Sequence, residues 1–340
     1  VVHHASHPQR QHSSNNPARQ PLFSNGPTVL SLLPKQPGSP KHLQSQYQAT
    51  MSLLLDEALD QWNSLAEQEQ NEAYRIHPAS SKAKDGPAEQ ELTPASHDHK
   101  HVINHSCPNL WREKICEWCY QVVDHCIIER DVVGIALFYF DKYVSCQTPC
   151  SESLLQLVAM TSLFLAVKLH STRKISVTSI VSLGRGCFQV DQILEMELCI
   201  MKELHWHLNP PTPSTYSNVV NPILDACTKD AQASYEISEL SRYLFELSVC
   251  DVYFADKKPS SIAYASILVA TENLSSYKKI KQRFAKYRLD KSPQMTELCA
   301  MRLRHVYRLA MPLPSEPEED TDEETDDAVL SPAFVFDSYS

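Results

Sequence analysis

The chain has 340 residues, with 22 Pro, only 6 Gly and 11 Cys, and a formal net charge of -10 at pH 7, which is length enough for two ordinary domains plus tails. Glycine this scarce argues against Gly-rich phosphate loops and against a turn-rich β architecture. Ten of the 41 acidic residues fall in 315–340, where there is no Lys or Arg, so residues 1–314 balance 31 acids against 31 bases and bulk charge gives no footprint for nucleic acid.

Residues 1–48 are rich in Pro, Ser, Gln, Asn and His, a composition that buries too little apolar surface to fold alone, and they read as a disordered tail. A chain that opens on Val1 rather than Met reads as a fragment. His3, His4, His7 and His12, and later His97, His99 and His101, reflect composition rather than a metal site. From Met51 to Tyr74 the pattern changes. Leu54, Leu55, Ala58, Trp62 and Leu65 recur at helical intervals, which predicts a helix docked on another part of the fold. Residues 78–107 read as a linker.

A first unit occupies 109–210. Asn109 is placed to cap a helix from Leu110 to Cys126, and Asp131 stands in the first turn of a second helix, to Val144. Ser151 or Ser153 caps the central stretch, Ser153 to His170, whose wheel has almost no polar stripe and so predicts a helix buried on all sides. Gln156, Thr161, Ser162 and Lys168 interrupt it too often for a membrane span, and no signal peptide is present. A short helix follows at Val177 to Leu183. Asp191 opens another, with Glu195 in capping-box position and Ile193, Leu194, Met196, Ile200, Met201 and Leu204 on its apolar side. Leu208 to Pro213 cannot be helical and ends the unit.

A second unit, 211–312, shows helical patterns at Tyr216 to Cys227, Tyr235 to Cys250, Ser261 to Leu274 and Pro293 to Ala310. Set beside Ala159 to Lys168, the decapeptide Ala263 to Glu272 repeats its Ala, Ser and Ala positions with large apolar residues between them. That is an internal repeat at one-domain spacing, and it predicts an all-α architecture of two tandem helical bundles. Lys278 to Arg288 is a basic cluster with interleaved aromatics and reads as a solvated connector, with nuclear import or nucleic-acid contact the sharper alternative. Residues 313–340 form an acidic tail. Cys116 and Cys119 make a CxxC without a second pair, so they read as core, as do the other cysteines of a reduced, intracellular protein. His205 and His207 are placed to cap carbonyls while Trp206 fills core. The Gly184–Gly186 segment is a turn. No nucleophile–base set, metal motif or cofactor loop stands out, so the chain reads as a non-enzyme with no cofactor.

Four segments resemble the cyclin family. Trp111 to Trp118 is similar to the opening motif of its N-terminal box, and Tyr139 to Tyr143 matches the segment whose aspartate pairs with the arginine of that motif. Leu154 to Lys168 matches the central helix with its terminal lysine, and Gln192 to Pro213 the last helix with its Met-Glu pair and Pro-Thr-Pro exit. The resemblance covers about 200 residues and implies two tandem cyclin folds, the box at 109–210 and the C-terminal fold at 211–312. It also implies a regulatory subunit that binds and activates a cyclin-dependent Ser/Thr kinase in cell-cycle control, as a heterodimer in nucleus and cytoplasm. Carried over by position, Arg112 and Asp141 form a buried structural pair, and Lys168 and Glu197 grip backbone groups around the kinase's regulatory helix.

Trp111, Ile115, Trp118 and Gln156 fall where the family keeps an apolar patch that docks short substrate motifs, although Lys114 stands where that patch is usually apolar. Leu169, His170 and Ser171 stand where many mitotic and G1 cyclins carry acids, which leaves the choice of kinase open. Residues 315–332 resemble the degradation tails of short-lived cyclins and imply contact with ubiquitin-ligase machinery. Arg19 to Leu22 has the minimal pattern of a destruction box, and Ser331 before Pro332 is the best of three candidate proline-directed phosphosites. The rival from another class is a cyclin-fold transcription factor of the general initiation type binding promoter DNA. That class carries an N-terminal zinc ribbon and a basic core, and neither is present in this sequence.

Overall fold

The computed structural model describes residues 40–76, 107–146, 151–272 and 274–311. Among these residues the secondary structure is helical throughout: α1 (Pro40–Gln68), α2 (Cys107–His125), α3 (Asp131–Ser145), α4 (Glu152–His170), α5 (Val177–Leu183), α6 (Val190–Glu203), α7 (Pro213–Thr228), α8 (Ala231–Cys250), α9 (Pro259–Thr271), α10 (Tyr277–Ala285) and α11 (Pro293–Ala310), with short 3-10 turns at Glu72–Tyr74 and Val252–Phe254. One unit ends at Ala49 and, among the described residues, contributes the start of α1; the other, from Thr50, holds both bundles.

Helix α4 is the axis of the first bundle, which is built from α2 to α6. The Ser151 hydroxyl, not Ser153, accepts the Leu154 N–H and starts the helix. Ala159, Ser162 and Ala166 let neighbouring backbones approach, while Met160, Leu163 and Leu165 fill the space around them. By length and composition α4 is apolar enough to cross a membrane, its polar interruptions notwithstanding. Its burial by α3 and α6 accounts for that apolarity, because a helix enclosed by other helices has no face left for water.

The second bundle repeats the plan with α7 to α11 around α9, whose Ala263, Ser266 and Ala270 are buried in the equivalent places. Prolines open α7, α9 and α11, where the missing N–H costs no helical hydrogen bond. Helix α10 is a correction to the reading of 278–288 as a connector. Its four Lys and Arg hid a two-residue stripe, Ile280 and Phe284, which at a spacing of four lie on one face and are buried in the second core.

Several boundaries differ from the sequence pattern: α2 begins at Cys107, at the end of the stretch read as linker, so Asn109 lies inside the helix instead of capping it, and α8 begins at Ala231 with Asp230 as its cap, four residues before Tyr235. Helix α1 begins at Pro40, inside the stretch read as tail to residue 48, because its Lys, Leu and Gln residues are good helix formers although too polar to signal a core. Helix α6 begins at Val190, one residue earlier than expected, so the first-turn contact is the Gln189 N–H donating to the Gln192 side-chain oxygen at 2.8 Å rather than one made by Glu195.

From Thr50 onward α1 docks on the second bundle. Ala58 and Trp62 are buried there, and the Trp62 ring meets Tyr216 edge-on at 4.6 Å. Just beyond the helix, the buried Glu69 carboxylate accepts from the Ser260 N–H at 2.9 Å and the Ser260 hydroxyl at 2.6 Å. An acid thereby caps the N-terminus of α9, where unsatisfied donors and the helix dipole favour negative charge. Burial, reinforced by Glu69, pushes the Tyr216 phenol well up.

Candidate functional site

The edge of the first bundle is held from within by Arg112 on α2. Its Nε donates to both Asp141 carboxylate oxygens at 2.9 and 3.0 Å, its Nη2 to Oδ2 at 2.9 Å, and its Nη1 to the Val249 carbonyl at 2.9 Å. One guanidinium therefore joins α2, α3 and the end of α8, and so the two bundles. Burial alone pulls its pKa down, but Asp141 overrides that and the net direction is up.

Lys168 occupies the last turn of α4, where the dipole favours a cation. Its Nζ lies 2.7 Å from Glu197 Oε1 on α6 and 5.7 Å from the centre of the Phe164 ring. The pair is asymmetric: the lysine side chain is 51% exposed and the glutamate 5%. Glu197 is buried on α6 together with Ile193, Met196 and Ile200, so the carboxylate is a fixed post and the ammonium a half-solvated donor leaning on it. Leu169, next to Lys168, and Leu194 and Leu198, flanking Glu197 on α6, are large and exposed. Leu194 was expected on the buried side of α6; the structure puts it on the open one.

The chain leaving α4 is tied down. Lys174 Nζ donates to the Lys168 carbonyl at 3.0 Å and also reaches the Val167 and Ser171 carbonyls, which satisfies acceptors that the helix end leaves open. The Ser171 and Thr172 hydroxyls donate to Glu129, and these bonds hold its carboxyl down at about 2. His170 Nε2 sits 3.0 Å from the Tyr139 hydroxyl and 2.8 Å from the Leu208 carbonyl, fixing α4 to the segment that leads into the second bundle. The arrangement is a rigid edge with one shared cation and exposed leucines beside it. It suits the recognition of a partner's backbone carbonyls and apolar surface, and it holds no constellation for bond-making chemistry.

The other residues singled out in the sequence lie elsewhere. Ile115 and Trp118 are buried, because α2 presents that face to the first core, and Gln156 is buried on α4; only Trp111 keeps partial exposure, with Lys114 Nζ 5.7 Å from its ring centre. Cys116 and Cys119 are both buried. Among the described residues no group of three or more His, Cys, Asp or Glu is placed to hold a metal ion.

Trp206, expected in the core, is 62% exposed, because His205 and Trp206 both adopt positive φ where the chain reverses after α6 and turn the indole outward. His205 Nδ1 does lie 3.1 Å from the Lys202 carbonyl. Ser331, the 19–22 segment and the acidic tail lie outside the described residues. Glu129 and Lys174 gave no signal in the sequence, since each takes partners that no local pattern places beside it; Glu69, which the helical pattern at 51–74 sets on the outward side, is instead buried against Ser260.

The family model described as "Cyclin, N-terminal domain" matches residues 88–209, and "Cyclin, C-terminal domain" matches 211–316. Among curated proteins, the chain is 27% identical over 188 residues to G1/S-specific cyclin-D1 of Xenopus laevis, covering 55% of this chain and 63% of the relative. It is 24% identical to the human protein of the same name, covering 55% and 62%. Against G1/S-specific cyclin-E1 of Gallus gallus it is 32% identical over 108 residues, covering 32% and 26%. The chain thus spans less than two thirds of the length of these relatives. Among solved structures, a viral cyclin from herpesvirus saimiri aligns with a TM-score of 0.46 at 14% identity, covering 59% of this chain and 87% of that one. The CAK complex of Chaetomium thermophilum bound to ATP-gamma-S aligns with a TM-score of 0.48 at 16% identity, covering 72% and 74%.

Proposed function

The chain belongs to the cyclin family, and from that membership we propose that it is a non-catalytic regulatory subunit that binds and activates a cyclin-dependent Ser/Thr kinase in cell-cycle control. The observation that carries the proposal is the Lys168–Glu197 pair: a half-exposed ammonium set on a buried carboxylate, flanked by exposed Leu169, Leu194 and Leu198. An isolated surface ion pair does not need one member buried. A lysine that must meet a partner in a set orientation does, because the buried acid fixes its direction while most of its donor capacity faces outward. The leucines supply the apolar area that a lasting interface needs around its polar contacts.

The test is a phosphorylation assay with the full chain and purified cyclin-dependent kinase subunits. The chain alone transfers no phosphate; with its cognate kinase it raises the rate, and Lys168→Ala lowers that stimulation. Phosphorylation by the chain alone, or stimulation of none of the kinases, would overturn the proposal. We extend it to turnover: the acidic residues 315–340 serve as a degradation element read by ubiquitin-ligase machinery. Their deletion should lengthen the half-life in a translation-block chase without changing kinase affinity.

A further inference from the structure

Two cysteines face each other across the junction of the bundles. Cys116, on α2, is fully buried, and its Sγ lies 3.5 Å from that of Cys250, the last residue of α8, which is partly exposed. The Arg112 guanidinium lies on the same junction, bonded to the carbonyl of Val249, the residue before Cys250. We propose that Cys116 and Cys250 form a peroxide-oxidised site, in which hydrogen peroxide converts the thiol pair into a reversible disulfide that staples the two bundles together.

The geometry separates the roles of the two sulfurs. Cys250 is the more exposed of the two, whereas Cys116 is fully buried behind it. The Cys116 S–H donates toward Cys250 and, despite opposing burial, draws the Cys250 thiol below its ordinary range, with help from Arg112; the same contact and burial raise Cys116. The accessible sulfur is thus the one with more thiolate character, which is the nucleophile in thiol oxidation. Sulfurs at 3.5 Å need to close by about 1.5 Å to reach bonding distance.

In the first step the Cys250 thiolate attacks one peroxide oxygen. The S–O bond forms, the O–O bond breaks, and the leaving hydroxide takes a proton to become water, leaving a sulfenic acid. Cys116 then loses its proton and attacks the Cys250 sulfur: the S–S bond forms, the S–O bond breaks, and the second oxygen leaves as water. Two thiols are oxidised by two electrons and one peroxide is reduced to two waters. Cys187 and Cys199 are exposed, and Cys119 is fully buried.

The test treats the full reduced chain with an equimolar amount of hydrogen peroxide, blocks remaining thiols under denaturing conditions, and maps the peptides by mass spectrometry. The expected result is a Cys116–Cys250 linked peptide, a mass loss of two hydrogens, two fewer blocked thiols and reversal by dithiothreitol. In Cys116→Ser, dimedone should capture a sulfenic acid at Cys250; in Cys250→Ser, no link should form. If either variant fails to fold, the wild-type map still decides. Recovery of Cys116 and Cys250 as free thiols while Cys187 or Cys199 is oxidised overturns the proposal, and so does overoxidation of Cys250 without a link.

Discussion

Helices α4 and α9 share a plan, and each ends in a charge paired with the last helix of its bundle, but the polarity is reversed. In the first bundle Lys168 meets Glu197 of α6; in the second Glu272, at the end of α9, meets Arg304 of α11. The cation on α4 agrees with the dipole at the helix end and gives Glu197 a single short bond. The acid on α9 opposes that dipole and is clasped instead, with Arg304 Nε at 3.0 and 3.1 Å from its two oxygens and Nη2 at 2.7 Å. Exposure follows the same division: 51% and 5% in the first pair, 27% and 29% in the second. One scaffold thus carries an open charge on its first bundle and a clasped pair on its second, and on the proposed function only the first meets a partner.

The comparison presumes that both bundles are held as one body, and the largest effect should come from the residue that joins them. Arg112→Ala leaves the largely enclosed Asp141 as an unpaired acid and frees the Val249 carbonyl. Breaking a buried pair in this way costs about 3–5 kcal/mol, which denaturant unfolding would register. An unchanged midpoint would mean that Arg112 stabilises little.

Next in size is the coupling within the open pair. Glu197→Ala should weaken kinase binding about tenfold, because a hydrogen bond to a charged group contributes about 1.5–3 kcal/mol. The Lys168→Ala, Glu197→Ala double variant should lose less than the sum of the singles, since each removes the same contact. Additive losses in a double-mutant cycle would show that the two residues act independently.

Arg304→Ala probes the closed pair. It should cost at most about 1 kcal/mol of stability, as partly solvated pairs do, and leave kinase affinity at the wild-type value. Surface plasmon resonance and thermal melting of the same preparation check both halves.

The smallest effect concerns the anchor behind Lys168. Glu129 has its folded pKa depressed from 4.5 to about 2 by Ser171 and Thr172. A depressed acid contributes stability above its unfolded value and loses it as the pH falls through the folded one. Protection of the Ser171 and Thr172 amides, taken relative to intrinsic exchange at each pH, should therefore fall between pH 4.5 and about 2, and Glu129→Gln should remove that step while leaving the end of α9 unaffected.

The bundles were legible because burial writes itself into composition. Helices α4 and α9 are apolar all round, and the repeated Ala, Ser and Ala positions revealed their equivalence before any contact was known. Amphipathic pieces with narrow apolar stripes were not legible: α10 shows only Ile280 and Phe284 among its bases, and residues 44–50 of α1 are all exposed. At the candidate site, Lys168 and Glu197 came from resemblance, and nothing in their spacing said that one would be buried beneath the other. Trp206 misled because its type suggests core while its backbone, in a conformation that bulky residues rarely adopt, decides its direction. Glu69 and the Cys116–Cys250 contact depend on residues far apart in the chain, which no local pattern relates.

The central claim, that the pair ending α4 serves a partner while the pair ending α9 serves the fold, is tested most directly by titration calorimetry. Wild type, Lys168→Ala and Glu272→Ala would each be titrated against the same cyclin-dependent kinase at matched salt. The account predicts that Lys168→Ala loses about tenfold in affinity, the effect of one charge-assisted hydrogen bond, while Glu272→Ala binds like wild type. Equal losses in both variants, or wild-type binding by Lys168→Ala, would contradict it.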